Sequence, residues 1–467
     1  MRKLTNKWKM FLYAIGGMGV NMLNLMVNSY LCSALIATGF NPNVIQYQTF
    51  LQRDLVIAGV WAVFGVVAKI IDGVIDVPMA SFTDNLKTRF GRRRPALIIG
   101  LVPMILAYVL FTLVTPNPAG ATLLNTVFYG VTLCVFYSFY TLTMVTYYAT
   151  FTEIVDTQEE RNFMSNVKSV CDILYFILGY VVVRAMLNGM NVRPVSMIVL
   201  PIVLTMLIPL LLIKESSTKN GVISRNGAET SLISATTPDL LDSAISRDGE
   251  ETSVSVNLFK SIAYTFKNKD YILWMVVYSF MTFGVQLFLS GINEYFSVAG
   301  MNMMFVMMAA FAPVPFTLLI YNKLTKKLGF GFSYRYTLVI FAVGMASMFA
   351  VSYLEAGTLK TILAIVTGLI SSFGIGAMFS VAYSVPSELA AEEEKRTGIS
   401  NAAMYFAVQG LFAGVASGIG GQAVLTLMKT NNVVKYLTLV CAIAVLVAFA
   451  LSFLLPKSVT QMGKKDK

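Results

Sequence analysis

Residues 148–166 read YATFTEIVDTQEERNFMSN, and residues 383–401 read YSVPSELAAEEEKRTGISN. Aligned at an offset of 235, the two stretches share Tyr148/Tyr383, Glu153/Glu388, Glu159/Glu394, Arg161/Arg396, Ser165/Ser400 and Asn166/Asn401. A weaker echo pairs residues 84–91 (DNLKTRFG) with residues 322–329 (NKLTKKLG) at an offset of 238. Both offsets are close to half of the 467 residues, so the chain reads as a duplicated unit.

What surrounds the repeat is apolar. The sequence is 56% hydrophobic and only 13% charged, against about 25% charged residues in soluble domains. A soluble globule of this composition would expose too much apolar surface. Disorder, collagen and a disulfide scaffold are excluded by the same numbers. Cys32, Cys134, Cys171 and Cys441 fall far apart inside apolar runs and read as small hydrophobes. Histidine is absent, which removes imidazole bases and imidazole metal ligands.

A helix needs about 20 apolar residues to cross a bilayer. Twelve stretches qualify, over 10–38, 55–81, 96–114, 121–150, 169–187, 195–213, 271–296, 301–322, 333–354, 359–385, 400–428 and 433–455. The fold expected is an all-α membrane protein of twelve helices in two pseudo-symmetric six-helix bundles. Residues 1–213 and 270–467 form the halves, and the Ser-, Thr- and Gly-rich residues 214–269 join them as a polar linker. The basic, apolar N-terminus has no small-residue cleavage site and reads as a first span, not a signal peptide. With the N-terminus inside, 28 of the 35 Lys and Arg residues fall in cytoplasmic segments. That bias places both termini in the cytoplasm. It also accounts for the net charge of +11 without a nucleic-acid partner. The plasma (inner) membrane is the expected location.

Charges inside the spans are the candidate machinery, because a carboxylate at mid-membrane costs at least ~2.5–3.5 kcal/mol. Lys69, Asp72 and Asp76 are spaced i, i+3, i+7 on one helical face. They sum to one negative charge, which Na⁺ or H⁺ would neutralise. A structural ion pair with a solvated Asp76 is the plainer alternative. Asn21, Asn24 and Asn28 repeat the i, i+3, i+7 spacing in the first span, and Gln286, Ser290 and Asn293 form a similar stripe in the seventh. Buried amides need partners that lipid does not supply. The stripes point either to a cavity for a polyhydroxylated ligand or to interhelical contacts. Tyr147 and Tyr148 at the end of the fourth span could stack on a sugar face or simply pack. Asp172, one turn from Lys168, reads as an i, i+4 pair. Arg184 and Glu294 lie near outer ends and read as solvated. Glu153, Arg161, Glu388 and Arg396 recur in both halves, and with Asp84 and Arg92 they read as an inner gate.

The basic loop ending Gly91-Arg92-Arg93-Arg94-Pro95 resembles that of the major facilitator superfamily. Residues 69–78 (KIIDGVIDVP) resemble the second-span signature of one branch, the melibiose permease-like glycoside–pentoside–hexuronide:cation symporters. The segment Tyr147-Tyr148…Glu153…Glu160-Arg161 is similar to the same branch. The resemblance implies coupling-cation binding at Asp72 and Asp76 with Thr141. It implies a stacking role at Tyr148 and a basic sugar contact near Lys168. The chain departs from the pattern where the family has Asp (Asn21 and Met144) or Lys (Val20 and Gly414). The cation signature is thus better kept than the sugar signature. The function implied is cation-coupled symport of a sugar or glycoside by alternating access, with a lysolipid or other amphiphile as the alternative cargo. The expected partners are a carbohydrate-type solute and membrane lipid, with the chain working as a monomer. No cofactor is expected beyond the coupling ion, and no metal beyond Na⁺ at Asp72 and Asp76. No nucleophile–base pair or phosphate loop points to an enzyme.

Overall fold

The computed structural model describes residues 6–154, 158–215, 269–397 and 402–461. They are helical throughout, and ten helices are long and apolar enough to span a membrane. The two other spans expected from the sequence are present but irregular. Span 2 consists of two helices, Ala58–Val74 and Asp76–Asn85. Pro78 explains the break. It offers no N–H to the carbonyl of residue 74, and its ring crowds that carbonyl. Span 5 runs through Gln158–Ile177, a π-helical turn at Leu178–Val182, and Val183–Met186.

Polar side chains start four of the other spans, where the first amides lack partners. Asn6 accepts from Trp8 N at 2.8 Å to open span 1 (Lys7–Leu35). Thr122 accepts from Asn125 N at 3.2 Å to open span 4 (Leu123–Glu153). Asn191 accepts from Arg193 N at 3.0 Å to open span 6 (Val192–Leu212), and Asn302 from Met304 N at 3.0 Å to open span 8 (Met303–Leu328). Gly300, at φ +61, closes span 7 (Lys269–Ser290 continued by Ile292–Ala299) in the left-handed conformation that a side chain would resist.

Spans 1–6 pack against one another, as do spans 7–12. The two groups meet where span 1 touches span 7, span 2 touches span 11, and span 5 touches span 8. Span 11 comprises Ala402–Gly418, a π-helical turn at Ile419–Val424, and Leu425–Thr430. Span 1 carries a similar π turn at Val27–Leu31. All three π turns therefore sit on helices that make the contact between the halves. Such turns leave carbonyls without their usual partners. At Ser29 the freed carbonyl accepts from Asn293 Nδ2 of span 7 at 2.5 Å.

The approach of span 2 to span 11 is a backbone-to-backbone contact. A methyl group on Gly414 would lie 2.5 Å from the Lys69 carbonyl oxygen, and one on Gly73 would collide with the Gly410 carbonyl oxygen. Gly418 meets Val66 in the same way. Small residues permit close helix approach in lipid, where packing rather than hydrophobicity holds helices together. A Gly414→Leu variant is expected to lose about 1–3 kcal/mol of stability through overpacking. Thermal unfolding in detergent measures it, and an unchanged midpoint would show that the helices separate there at no cost.

Candidate functional site

Span 2 carries its acidic pair on either side of the break. Asp72, in the last turn of the first helix, accepts from Thr141 Oγ1 at 2.9 Å and lies 3.5 Å from Lys69 Nζ. Lys69 is buried, with its ammonium 4.0 Å from the centre of the Tyr137 ring. The ring face adds a cation–π attraction where water is scarce. Asp76 opens the second helix, where a carboxylate faces the positive end of the helix dipole. It has no hydrogen bond or ion pair among the described residues, and its Oδ2 faces the gap beside Gly410, 3.8 Å from where a side chain there would begin. Thr141 and Asp72 thus bring together oxygens of the kind a hard monovalent cation takes, with Asp76 one turn further along the span. No group of three or more His, Cys, Asp or Glu residues forms a metal cluster among the described residues.

The expected substrate residues do not share one place. Asn21 faces spans 4 and 5. Its Oδ1 accepts from the Tyr140 hydroxyl at 3.1 Å, and its Nδ2 donates to Asp172 Oδ1 at 3.5 Å. Lys168 donates to Asp172 Oδ2 at 2.5 Å, so the i, i+4 pair of the sequence is formed. Lys168 also lies 5.1 Å from the centre of the exposed Tyr148 ring. Asn24 is half-buried and its Oδ1 has no partner among the described residues. Asn28, nearer the contact between the halves, lines a small cleft with Trp61, Gln422, Thr426 and Lys429. Gln286 is half-buried on span 7.

Tyr147 and Asn293 lie elsewhere. Tyr147 is buried, stacked on Tyr13 at 5.1 Å, and its hydroxyl donates to the carbonyl oxygens of Tyr13 and Ala14 at 3.0 Å each. Tyr13 returns a hydrogen bond to the Tyr147 carbonyl at 2.9 Å. This reciprocal pair locks span 1 to span 4 and leaves Tyr147 no face for a solute. Asn293 donates its Nδ2 to the Ser29 carbonyl and so ties the halves together, while its Oδ1 is buried with no partner among the described residues. Of the expected gate, Arg92 is half-buried. The side chains of Asp84, Glu153, Arg161, Glu388 and Arg396 lie outside the described residues. Arg93 holds the loop in place, with its guanidinium donating to Thr83 Oγ1 at 3.1 Å and its amide to Glu215 Oε2 at 2.8 Å.

The largest departure from the sequence reading is Glu294. It is fully buried, not solvated, and ion-paired with Lys429 Nζ at 2.6 Å. Ser33 donates to the same carboxylate from the other half of the molecule. Lys429 also donates to the Ser33 carbonyl oxygen at 2.9 Å and lies 4.5 Å from the centre of the Phe40 ring. Gly39, at φ +89, packs so closely on Lys429 that a methyl group there would lie 3.0 Å from the Lys429 Cα, in a backbone conformation that side chains resist. Asn41 N donates to Ser297 Oγ at 2.9 Å, and Ser29 Oγ to the Leu289 carbonyl at 2.9 Å. Together these contacts latch the halves at the end distal to the 214–269 linker. Nothing in the sequence singled out Lys429, since no helical spacing relates it to Glu294.

Removing one member of a buried pair strands the other charge, at a cost of about 3–5 kcal/mol. Lys429→Met and Glu294→Gln are each expected to lose stability on that scale. The double variant is expected to recover most of it. Strictly additive losses in a double-mutant cycle of thermal unfolding would show that the two side chains do not act as a pair.

Comparison with known proteins follows the same outline. The family model described as MFS/sugar transport protein matches residues 12–433. A search among curated proteins finds no match. Among solved structures, the nucleoside transporter NupG is similar with a TM-score of 0.58 at 13% identity, covering 97% of this chain and 98% of that one. A bacterial homolog of the human lysosomal transporter Spinster, in an inward-facing and unoccupied conformation, is similar with a TM-score of 0.59 at 10% identity over 98% of both chains. A POT family transporter in complex with 5-aminolevulinic acid is similar with a TM-score of 0.59 at 13% identity, covering 97% and 96%. At such identities the structural likeness shows the fold alone, and that fold is shared by membrane transporters, not enzymes. Over nearly its whole length, with its two six-helix groups and its charged second span, the chain belongs to the MFS/sugar transport protein family.

Proposed function

We propose that this transporter couples movement of a carbohydrate-type solute to a monovalent cation, Na⁺ or H⁺, by symport with alternating access. The observation that carries the reading is the imbalance in span 2. Lys69 and Thr141 attend Asp72, whereas Asp76 one turn away has no partner among the described residues. An uncompensated carboxylate at that depth is costly, and a cation from solution removes the cost. A discontinuous helix beside the bundle interface is a setting in which transporters commonly bind ions.

The latch supports the alternating part. Glu294, Lys429 and Ser33 close the end distal to the linker, and the halves cannot part there without breaking an ion pair and several hydrogen bonds. With the Lys- and Arg-rich linker end in the cytoplasm, the closed end faces outside, and solute and ion would leave inward. Cation binding at Asp76 favours one arrangement of the halves to the extent that it binds that arrangement more tightly. Neutral amides and phenols at Asn21, Asn24, Tyr140 and Tyr148 suit a polyhydroxylated solute, which both donates and accepts.

A second reading, an amphiphilic cargo, draws on one feature. Spans 7 and 11 form an apolar groove of about 540 Å³ lined by Val276, Phe280, Phe283, Leu411, Phe412 and Ile419. An acyl chain would fit its chemistry.

Reconstituted vesicles test both readings. A labelled glycoside is expected to accumulate against its gradient when either a Na⁺ gradient or a pH gradient is imposed, and whichever one drives uptake identifies the ion. Asp76→Asn is expected to reduce that accumulation roughly tenfold or more, the effect of about 1.4 kcal/mol, and to spare exchange of solute at equal ion concentrations. An Asp76→Asn protein that still accumulates solute in full proportion to the ion gradient would end the coupling role. Competition by lysolipid but not by unlabelled glycoside would favour the amphiphile.

A further inference from the structure

Two Lys–carboxylate pairs lie within the described spans away from the cation site, and their surroundings differ. In the Lys429–Glu294 pair the side chains are 2% and 0% exposed, which suits a seal. In the Lys168–Asp172 pair they are 23% and 22% exposed. A pair that only stabilised span 5 would gain little from standing open, since an accessible i, i+4 pair contributes only about 0.3–0.5 kcal/mol. Its position is also unusual for such a pair. Asp172 meets Asn21 of span 1, and Asn21 meets Tyr140 of span 4, so three spans converge on one carboxylate. The Asn21–Asp172 contact is long, at 3.5 Å, and leaves the amide poorly satisfied. One turn along span 1, Asn24 Oδ1 is a buried acceptor with no partner among the described residues.

Those features describe a site with unmet hydrogen-bonding capacity, a weakly used donor at Asn21 and an unused acceptor at Asn24. A carboxylate offers about four lone-pair positions, and the contacts described here occupy one on each oxygen of Asp172. Asn24 adds an empty acceptor. A ligand that satisfied them would bring hydroxyl groups. The Tyr148 ring, 37% exposed beside Lys168, offers an apolar face at the same place. We propose that Asp172 is a substrate-binding residue that accepts hydrogen bonds from cargo hydroxyls and thereby sets specificity, with Lys168 holding its carboxylate and Asn21 orienting it. The sequence presents Asp172 only as the helical partner of Lys168. The structure places its carboxylate where spans 1, 4 and 5 meet, beside Asn21. This inference rests on the carbohydrate reading above for the class of cargo, but not for the role of the residue.

The test measures ligand-dependent shifts in melting temperature for the purified full chain, with a panel of glycosides, nucleosides, short peptides and lysolipid. A glycoside is expected to stabilise the wild-type protein, and Asp172→Asn is expected to weaken that ligand about tenfold or more, the loss of one charge-assisted hydrogen bond. A deoxy analogue lacking the recognised hydroxyl is expected to bind wild type and Asp172→Asn equally. If Asp172→Asn fails to fold, Asp172→Glu takes its place and is expected to change the rank order of epimeric glycosides. Undiminished binding to Asp172→Asn, or an unchanged rank order in Asp172→Glu, overturns the role of Asp172 and leaves the carbohydrate reading standing. If the stabilising ligand is not a glycoside and Asp172→Asn loses it, the carbohydrate reading falls and Asp172 stands. No stabilisation of wild type by any member of the panel overturns both.

Discussion

A negative charge held in hydrocarbon without a full counter-charge is the constraint around which this structure is arranged. Span 2 carries two carboxylates and one ammonium, and the bilayer penalises the remainder. The fold answers locally for Asp72, through Lys69, Thr141 and the aromatic face of Tyr137. It leaves Asp76 without such partners among the described residues. The break at Ile75 separates the two acids into different helices and puts Asp76 at a helix start. Glycines at 410, 414 and 418 let span 11 lie directly against this region.

That contact depends on exposure as much as on charge. Lys429–Glu294 and Lys168–Asp172 are the same chemical pair in different solvent. The first is sealed between the halves and fixes one arrangement of the molecule, because separating it would leave both charges in a medium that solvates neither. The second stands partly open within one half, where rearranging it costs little. The π turns follow the same division. They occur in spans 1, 5 and 11, all at the meeting of the halves, and the carbonyl freed at Ser29 is used to bind the other half.

Much of the scaffold is legible in the sequence for a simple reason. Bilayer thickness sets the length of an apolar run, and hydropathy is a local property, so twelve spans can be read residue by residue. The repeat between residues 148–166 and 383–401 shows the duplication directly. Lys69, Asp72 and Asp76 stand out because ionised groups are rare in such runs, and Pro78 marks the break beside them. The Lys168–Asp172 pair follows from helical periodicity alone.

The sequence by itself therefore determined the membrane class, the two halves, and the span on which the unbalanced charge lies. Only the tertiary structure decided which charges meet. Glu294 and Lys429 are 135 residues apart, Asn21 and Asp172 151 apart. No period within a helix connects such positions. Tyr147 and Asn293 looked like cavity residues on spacing, but one locks against Tyr13 and the other bridges to Ser29. A polar side chain in a span must find a partner, and a one-dimensional pattern can show that need. Which partner satisfies it depends on how helices distant in sequence dock, and docking is set by the packing of whole surfaces.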